Sequence, residues 1–391
     1  MHIVKLTARL LMALCLASIM PALLSGCWSK QELNDRSFVS TMIIDMNKEG
    51  ETEVSTLFLL PNRISTGLES NAPGQKPYVL VTGKGRNVAE AFHKLQRDLP
   101  RNVTWGQMSV IIIGDRYARA GLAPLFDFLI RSTEFRLRVN VFYFKGVARN
   151  LSKLAPIFER FPTEIWRETT HTKRIPPIQI RDLLYAYWNN LGDGYMPELV
   201  LRMNNLLTEN KKMPWSGIGG AALIKNGKVT DRFTDEETEG ILVLTNDVDE
   251  LLVTAQMPDD EELVSARLID IRRKVKAVRR GNQVEIPISV TAEADLVSIH
   301  SSLDLSNPSN LRKIERALQE RLQEKIHAAV DRARRRRADV FQWSEYIKYK
   351  YPSLWRQWSE RLRENLVENV KPEIDVRIHL RNTGVSRSNK S

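Results

Sequence analysis

Hydrophobic and polar positions alternate along much of the chain, and the period of the alternation changes from segment to segment. Ser37 to Met46 and Glu53 to Leu60 read as two strands around a turn at Asn47–Gly50. Pro61 to Pro77 is polar, with Gly, Asn and Ser, and reads as an exposed loop. Tyr78 to Thr82 predicts a third strand. Val88, Ala91, Phe92 and Leu95 then fall at helical spacing behind a possible N-cap, Asn87. Val110 to Ile113 is a short apolar run closed by Gly114, as in a strand buried on both faces. A short helix from Asp115 to Gly121, a second helix after Pro124 and a strand from Arg138 to Phe144 continue the alternation. Val147 to Asn190 reads as mostly helical, broken at Pro176-Pro177, and Glu198 to Met203 as a closing strand. Polar Asn204 to Pro214 is taken as a boundary.

The second half has a different rhythm. Asn226-Gly227 between two apolar runs is a strong hairpin signal. Asp235 is a candidate cap for a short helix to Leu244, and Leu251 to Ala255 is a strand. Ser265 to Val278 and Val284 to Ile299 alternate as two long antiparallel strands about the turn Gly281-Asn282. Leu311, Ile314, Leu318, Leu322, Ile326, Ala329 and Val330 step by three or four, the stripe of an amphipathic helix facing a sheet. A second helical region carries Trp343, Tyr346, Tyr349, Tyr351, Trp355 and Trp358, read as core, and ends at Pro372. Ile374 to Leu380 alternates as a last strand. The expected fold class is α/β (α+β), as three mixed domains in an exported body. Residues 27–210 form the N-terminal domain, 211–263 a small middle unit, 264–385 the C-terminal domain and 386–391 a polar tail.

Residues 1–26 stand apart. A basic start with Lys5 and Arg9 precedes an apolar run from Leu10 to Leu24, too short for a spanning helix, which needs about 20 apolar residues. Leu24-Ser25-Gly26-Cys27 closes it as a lipobox. Cys27 is therefore the expected site of a diacylglyceryl and N-acyl lipid and the first residue of the mature protein. Two or more acyl chains on one residue give stable anchoring, at roughly 0.8 kcal/mol per buried CH₂. The expected location is the outer face of a bacterial membrane.

With the signal removed, the net charge of +11 falls by the two charges of Lys5 and Arg9. A basic exported body meets anionic headgroups or acidic wall polymer, and nucleic acid is not an expected partner. The chain has two cysteines, Cys15 and Cys27; one leaves with the signal and the other is lipidated, so disulfides, thiol nucleophiles and Cys-ligated metals are not expected. Composition, at 42% apolar and 27% charged, is globular.

Candidate chemistry is sparse. Gly83-Lys84-Gly85-Arg86 lies between a strand and a helix but lacks the third glycine of a dinucleotide fingerprint and the Lys-Ser/Thr of a P-loop, so a tight turn accounts for it. None of the six histidines pairs with another at a metal-ligand spacing, and there is no Gly-x-Ser-x-Gly elbow. Carboxylate pairs such as Glu159 and Glu164 are expected by chance among 47 acidic residues. Neither a catalytic residue, a metal site nor a cofactor is expected, and the chain is read as not an enzyme. The densest charge run is Arg332, Arg334, Arg335, Arg336 and Arg337. It either complements a helix C-terminal dipole or contacts anionic lipid or an acidic partner.

Leu24-Ser25-Gly26-Cys27-Trp28, Glu32-Leu33-Asn34-Asp35 and Ile44-Asp45 resemble the opening of the Ger(x)C family, the C-subunit lipoproteins of spore germinant receptors. Ala89-Glu90-Ala91, Trp105-Gly106-Gln107, Ile111-Ile112-Ile113-Gly114, Ala118-Arg119-Ala120-Gly121, Phe128-Leu129-Ile130-Arg131 and Gly217 to Ala222 with Lys225 continue the resemblance over nearly the whole chain. It implies three α/β domains, an endospore-forming bacterium, and a place on the outer face of the spore's inner membrane. It also implies two membrane-embedded partners, an A subunit and a B subunit, in nutrient-triggered germination. No small-molecule ligand is implied. A solute-binding lipoprotein that captures the germinant directly is the alternative.

Overall fold

The apolar strands sort into two sheets. The computed structural model describes residues 11–13, 32–60, 76–132, 134–154, 159–189, 191–206, 211–245, 248–257, 262–299 and 303–384. Cys27, most of the 1–26 signal and the 386–391 tail lie outside the described residues, as does the predicted loop from 61 to 75.

The first sheet holds β1 (Arg36–Met46), β2 (Thr52–Leu59), β3 (Tyr78–Gly85), β4 (Asn102–Thr104), β5 (Val110–Gly114), β6 (Asn140–Phe144), β7 (Gly194–Leu206), β8 (Lys211–Lys225) and β9 (Lys228–Phe233). Its order is β3-β2-β1-β5-β6-β7-β8-β9, with β4 beside the start of β1. The centre, β1-β5-β6-β7, is parallel. Helices α1 (Val88–Arg97), α2 (Asp115–Ala120), α3 (Ala123–Arg131), α4 (Pro162–His171) and α5 (Ile180–Asn189) cover it. Both faces are buried: Ile111 and Ile113 pack under α1, α2, α3 and α5, while Val110 and Ile112 pack under Trp166 of α4 and Leu151 and Leu154. That double burial is why β5 reads as an uninterrupted apolar run.

The second sheet holds β10 (Glu250–Gln256), β11 (Leu263–Val275), β12 (Val278–Arg280), β13 (Gln283–Ile299) and β14 (Val370–Asn382), with β14 parallel to β13. Its strands bury alternate residues, so one face is covered and the other meets solvent. The cover is α6 (Asp235–Thr245), α7 (Pro308–Arg335), α8 (Trp343–Lys350), α9 (Pro352–Trp358) and α10 (Leu362–Asn369). On α7 the predicted stripe is buried at Ile314, Leu318, Leu322, Ile326 and Val330, each worth roughly 1.5–3 kcal/mol in transfer free energy. Of the expected aromatic core, Trp343 and Trp358 are buried while Tyr346 and Tyr349 are exposed.

Four local expectations are corrected. Asn204 to Pro214 is not a boundary between units: β7 and β8 pair antiparallel up to Leu206 opposite Lys211, with a register shift between Pro197 and Leu199, which gives β7 a neighbour it would otherwise lack. The strands of 211–263, expected as a middle unit, divide between the sheets, β8 and β9 in the first and β10 in the second. The cap of α6 is Thr234, whose Oγ1 accepts from Glu237 N at 3.2 Å while Thr234 N donates to Glu237 Oε2 at 2.8 Å, a reciprocal capping box. Pro372 lies inside β14, which starts at Val370 and runs along the sheet edge, where a missing N–H is tolerated.

Gly83 and Gly85 lie within β3 rather than in a turn. A Cβ on Gly83 would sit inside contact distance of Ala91 O and 2.8 Å from the Leu95 Cβ, and one on Gly85 2.5 Å from Ala91 N. These glycines let α1 lie directly on the strand backbone. Gly83→Ala is expected to cost about 1–3 kcal/mol of unfolding free energy. Gly106→Ala, where a Cβ meets nothing within 4 Å, is expected to leave it unchanged. Urea midpoints that do not differ between the two variants would contradict this account.

Candidate functional site

The arginine run sits where the two sheets meet. Helix α7 ends in a Schellman turn: Ala338 N donates to Ala333 O at 3.0 Å and Arg337 N to Arg334 O at 2.9 Å, with Arg337 in the left-handed region at φ 51°. The polypeptide at this point presents Arg332 to the first sheet. Arg332 Nε reaches Glu237 Oε1 and Oε2 at 2.8 and 2.7 Å, and its Nη1 reaches Asp231 Oδ2 at 3.3 Å. The Glu237 carboxylate, hydrogen-bonded to the guanidinium, pushes the Arg332 pKa up. Arg336 Nε donates to the same Asp231 oxygen at 2.6 Å. Arg334 turns the other way and donates to Val367 O of α10 at 3.0 Å. Arg335 and Arg337 are exposed. The structure thus gathers Arg332, Arg334 and Arg336 into contacts within the molecule and leaves Arg335 and Arg337 facing outward.

Beneath the run is a buried carboxylate. Asp193, 1% exposed at the head of β7, accepts Asn226 N at 2.8 Å from the β8–β9 turn and Asp339 N at 2.8 Å. Arg363 of α10 closes on it with two nitrogens, at 2.6 and 2.8 Å, and also donates to Leu191 O and Arg337 O. Asp339 in turn accepts Trp343 N and Ser344 N at 2.9 and 3.0 Å, and burial raises its pKa. Around this polar centre, Tyr195, Leu223 and Phe233 of the first sheet pack on Ala329 and Ala333 of α7. Sequence reasoning missed Asp193, Asp339 and Arg363. The one available signal was the basic run itself, which needs counter-charges without naming them.

Beside the seam a cleft of about 510 Å³ opens between α4, β8 and α6. Ile165, Ile175, Trp215 and Ile218 form its apolar walls, with Thr169, Thr238 and Arg174 among its polar groups. Thr169 and Thr238 spend their hydroxyl protons on Ile165 O and Thr234 O, at 2.6 and 2.8 Å, so they face a ligand as acceptors. The indole N–H of Trp215 is buried without a partner among the described residues. The volume suits a small molecule.

Residues of the family resemblance also come together. Asp45, at the carboxyl end of β1, accepts Met46 N at 2.8 Å and Ala148 N at 2.9 Å; burial raises its pKa. Gly114, at the same end of β5, leaves room for that carboxylate, since a Cβ there would lie 2.7 Å or less from its oxygens. Trp105 is buried between Phe92 and Phe135, at ring distances of 4.9 and 4.6 Å. Among the described residues no three His, Cys, Asp or Glu side chains gather as a metal site needs, and no helix is long and apolar enough to cross a membrane.

Removing the buried partner of Arg363 should strand a desolvated cation. Asp193→Ala is expected to lower unfolding free energy by about 3–5 kcal/mol, whereas exposed Arg335→Ala should change it by less than about 0.5 kcal/mol. Chemical denaturation of the two variants checks the difference, and a mild Asp193→Ala effect would contradict the seam's assigned role.

Comparison with known proteins agrees with both halves. "Spore germination protein N-terminal domain" matches residues 29–201, and "Spore germination B3/ GerAC like, C-terminal" matches residues 219–384. Spore germination protein KC of Bacillus subtilis (strain 168) is 24% identical over 392 residues, covering 96% of each chain. The putative spore germination protein YfkR of the same organism is 25% identical over 81% of this chain and 82% of its own. The crystal structure of the GerBC protein superposes with a TM-score of 0.56 at 15% identity, over 87% of this chain and 97% of that one, and so shares the fold. The chain belongs to the Ger(x)C family, the C subunits of spore germinant receptors.

Proposed function

We propose that this chain is a lipid-anchored, non-enzymatic subunit of a spore germinant receptor, held by Cys27 on the outer face of the membrane and acting with membrane-embedded A and B subunits. The observation that carries the reading is the end-to-end similarity to a spore germination protein in a chain that opens with Leu24-Ser25-Gly26-Cys27. The anchor confines the body to the plane of its partners and raises their effective concentration. A body so placed biases a partner's conformation through contacts that differ between the partner's states. Cys27→Ala is expected to move the chain from the membrane to the soluble fraction and to slow nutrient-triggered germination, with the urea midpoint of the body unchanged. Normal germination by spores whose variant is fully released would refute the proposal. Gentle co-isolation from detergent-solubilised spore membranes should recover two multi-span proteins with it.

The cleft between α4, β8 and α6 favours a second reading, direct capture of the germinant. It predicts heats of binding for some amino acids or sugars that vanish in Ile218→Trp, which fills the cleft. A panel without heats rejects it for those ligands.

A further inference from the structure

We infer that the end of the first sheet from which β1 departs is the membrane-facing surface of the body, with Arg101, Arg136 and Arg138 against anionic headgroups and Leu137 at the interface. The inference rests on the lipidation of Cys27 proposed above. Glu32, where the described chain resumes, is five residue steps beyond Cys27. Fully extended, they reach no more than ~18 Å. β1 itself, at eleven residues, is ~36 Å long. A lipid on Cys27 therefore ties the start of β1 close to the bilayer, while the far end of the strand, at Met46, can stand a further strand length away.

The topology puts three connections at the tied end. β4 pairs in parallel with the start of β1, Arg36 opposite Asn102, so Arg101 stands at that edge. Ser109 N donates to Ser40 O, midway along β1, and Asn140 N to Ser109 O, so the segments entering β5 and β6 approach from the tied half of the sheet. Arg181 N, at the start of α5, donates to Leu137 O at 3.1 Å. The connections are held together from within: Phe135 packs on Trp105 and on Phe128, at ring distances of 4.6 and 5.5 Å. Burying Phe135 turns its successors outward. Arg136 and Arg138 are exposed, as is Arg101, and Leu137 is 42% exposed.

The charges at this end divide into matched and unmatched groups. Arg131 is held by Asp127 at 2.9 Å, Arg181 lies 3.4 Å from Asp182, and Arg97 lies 4.0 Å from Asp98. Arg101, Arg136 and Arg138 form no ion pair among the described residues; Asp35 and Glu134 are exposed carboxylates of the same end. The positive excess is small, so its role is orientation and the anchor supplies the affinity. Arginines flanking an exposed leucine suit a headgroup boundary, where apolar stems bury and guanidinium groups reach phosphate. A body lying on its side, or standing on the Met46 end, would leave this combination in water.

The mature chain has no cysteine except Cys27, so single-site labelling is direct. Full-length lipidated protein carrying Leu137→Cys or Lys48→Cys, the latter at the opposite end of the sheet, would be labelled with nitrobenzoxadiazole. It would then be reconstituted in vesicles of phosphatidylglycerol and phosphatidylethanolamine, and quenching by headgroup spin-labelled lipid would be measured. The expected result is several-fold stronger quenching at 137 than at 48, reduced when Arg101, Arg136 and Arg138 are all changed to Gln. Equal quenching at both sites, stronger quenching at 48, or no quenching at either while the protein floats with the vesicles would overturn this orientation and leave the anchor intact. Failure of the unlabelled chain to float would overturn the orientation and the anchor together.

Discussion

A carboxylate with almost no access to water has to be answered by the protein, and Asp193 is answered by parts of the chain that only the complete fold brings together. Its donors come from the β8–β9 turn, from the turn after α7 and from Arg363 on α10. Loss of Arg363 would leave the carboxylate buried without a counter-charge, at several kcal/mol. The arrangement dictates its surroundings. Helix α7 must stop where its following backbone can offer Asp339 N to Asp193 and Arg337 O to Arg363. It stops there with an arginine in the left-handed region, a conformation that favours glycine. The basic run is in this respect the terminus of a helix built against a polar centre, with Arg332 and Arg336 drawn toward Asp231 of the first sheet and Arg332 also toward Glu237 of α6.

What could be read from the sequence was what depends on neighbours in sequence. The turn at Asn226-Gly227, both residues at positive φ, and the stripe on α7 follow from local conformational preference and from a 3.6-residue period. Asp193 could not be read in this way, because its partners lie 33, 146 and 170 residues away. Gly83 and Gly85 were legible as glycines that matter but not for why. A turn and a close helix approach call for the same residue, and only the position of Ala91 and Leu95 distinguishes them. Polar Asn204 to Pro214 looks like a linker because a strand pair running toward a sheet's end carries polar residues too. The candidate site was less legible than the fold: Arg332 to Arg337 were visible as a charge run, while the carboxylates that determine where Arg332 and Arg336 point, and the carbonyl that Arg334 reaches, were not.

Several of the residues that carry the family resemblance are residues that make the fold, while others, such as Asp35, Ile130 and Arg131, are exposed. Asp45 is lodged over Gly114, Trp105 is wedged between Phe92 and Phe135, and Ala118 is buried in α2. Buried, mutually fitted groups of this kind identify an architecture and say little about chemistry, which resides in surfaces and clefts placed upon it. This is why the family is shown by likeness along the whole chain while the mode of action has to be argued from the proposed anchor, the cleft and the exposed edge.

The seam bears on how such a body can act. A hinge requires an interface poor in buried contacts, so that two parts can separate at little cost. Here the contact between the sheets combines an apolar cluster around Phe233, Leu223 and Ala329 with the Asp193–Arg363 pair and the pairs that Arg332 and Arg336 make with Asp231 of β9. Opening it would expose apolar surface and uncover buried charge together. The two sheets should therefore move as one piece. A displacement imposed at one end of the first sheet then reaches the second sheet as rotation or translation of the whole, without internal rearrangement. Under the proposed tether at Cys27, such a rigid body would convert small tilts at that edge into larger excursions at the far end, about 36 Å along β1 and beyond. Any influence on membrane-embedded partners would pass through which of its faces they meet in each of their states, not through a conformational switch inside the chain.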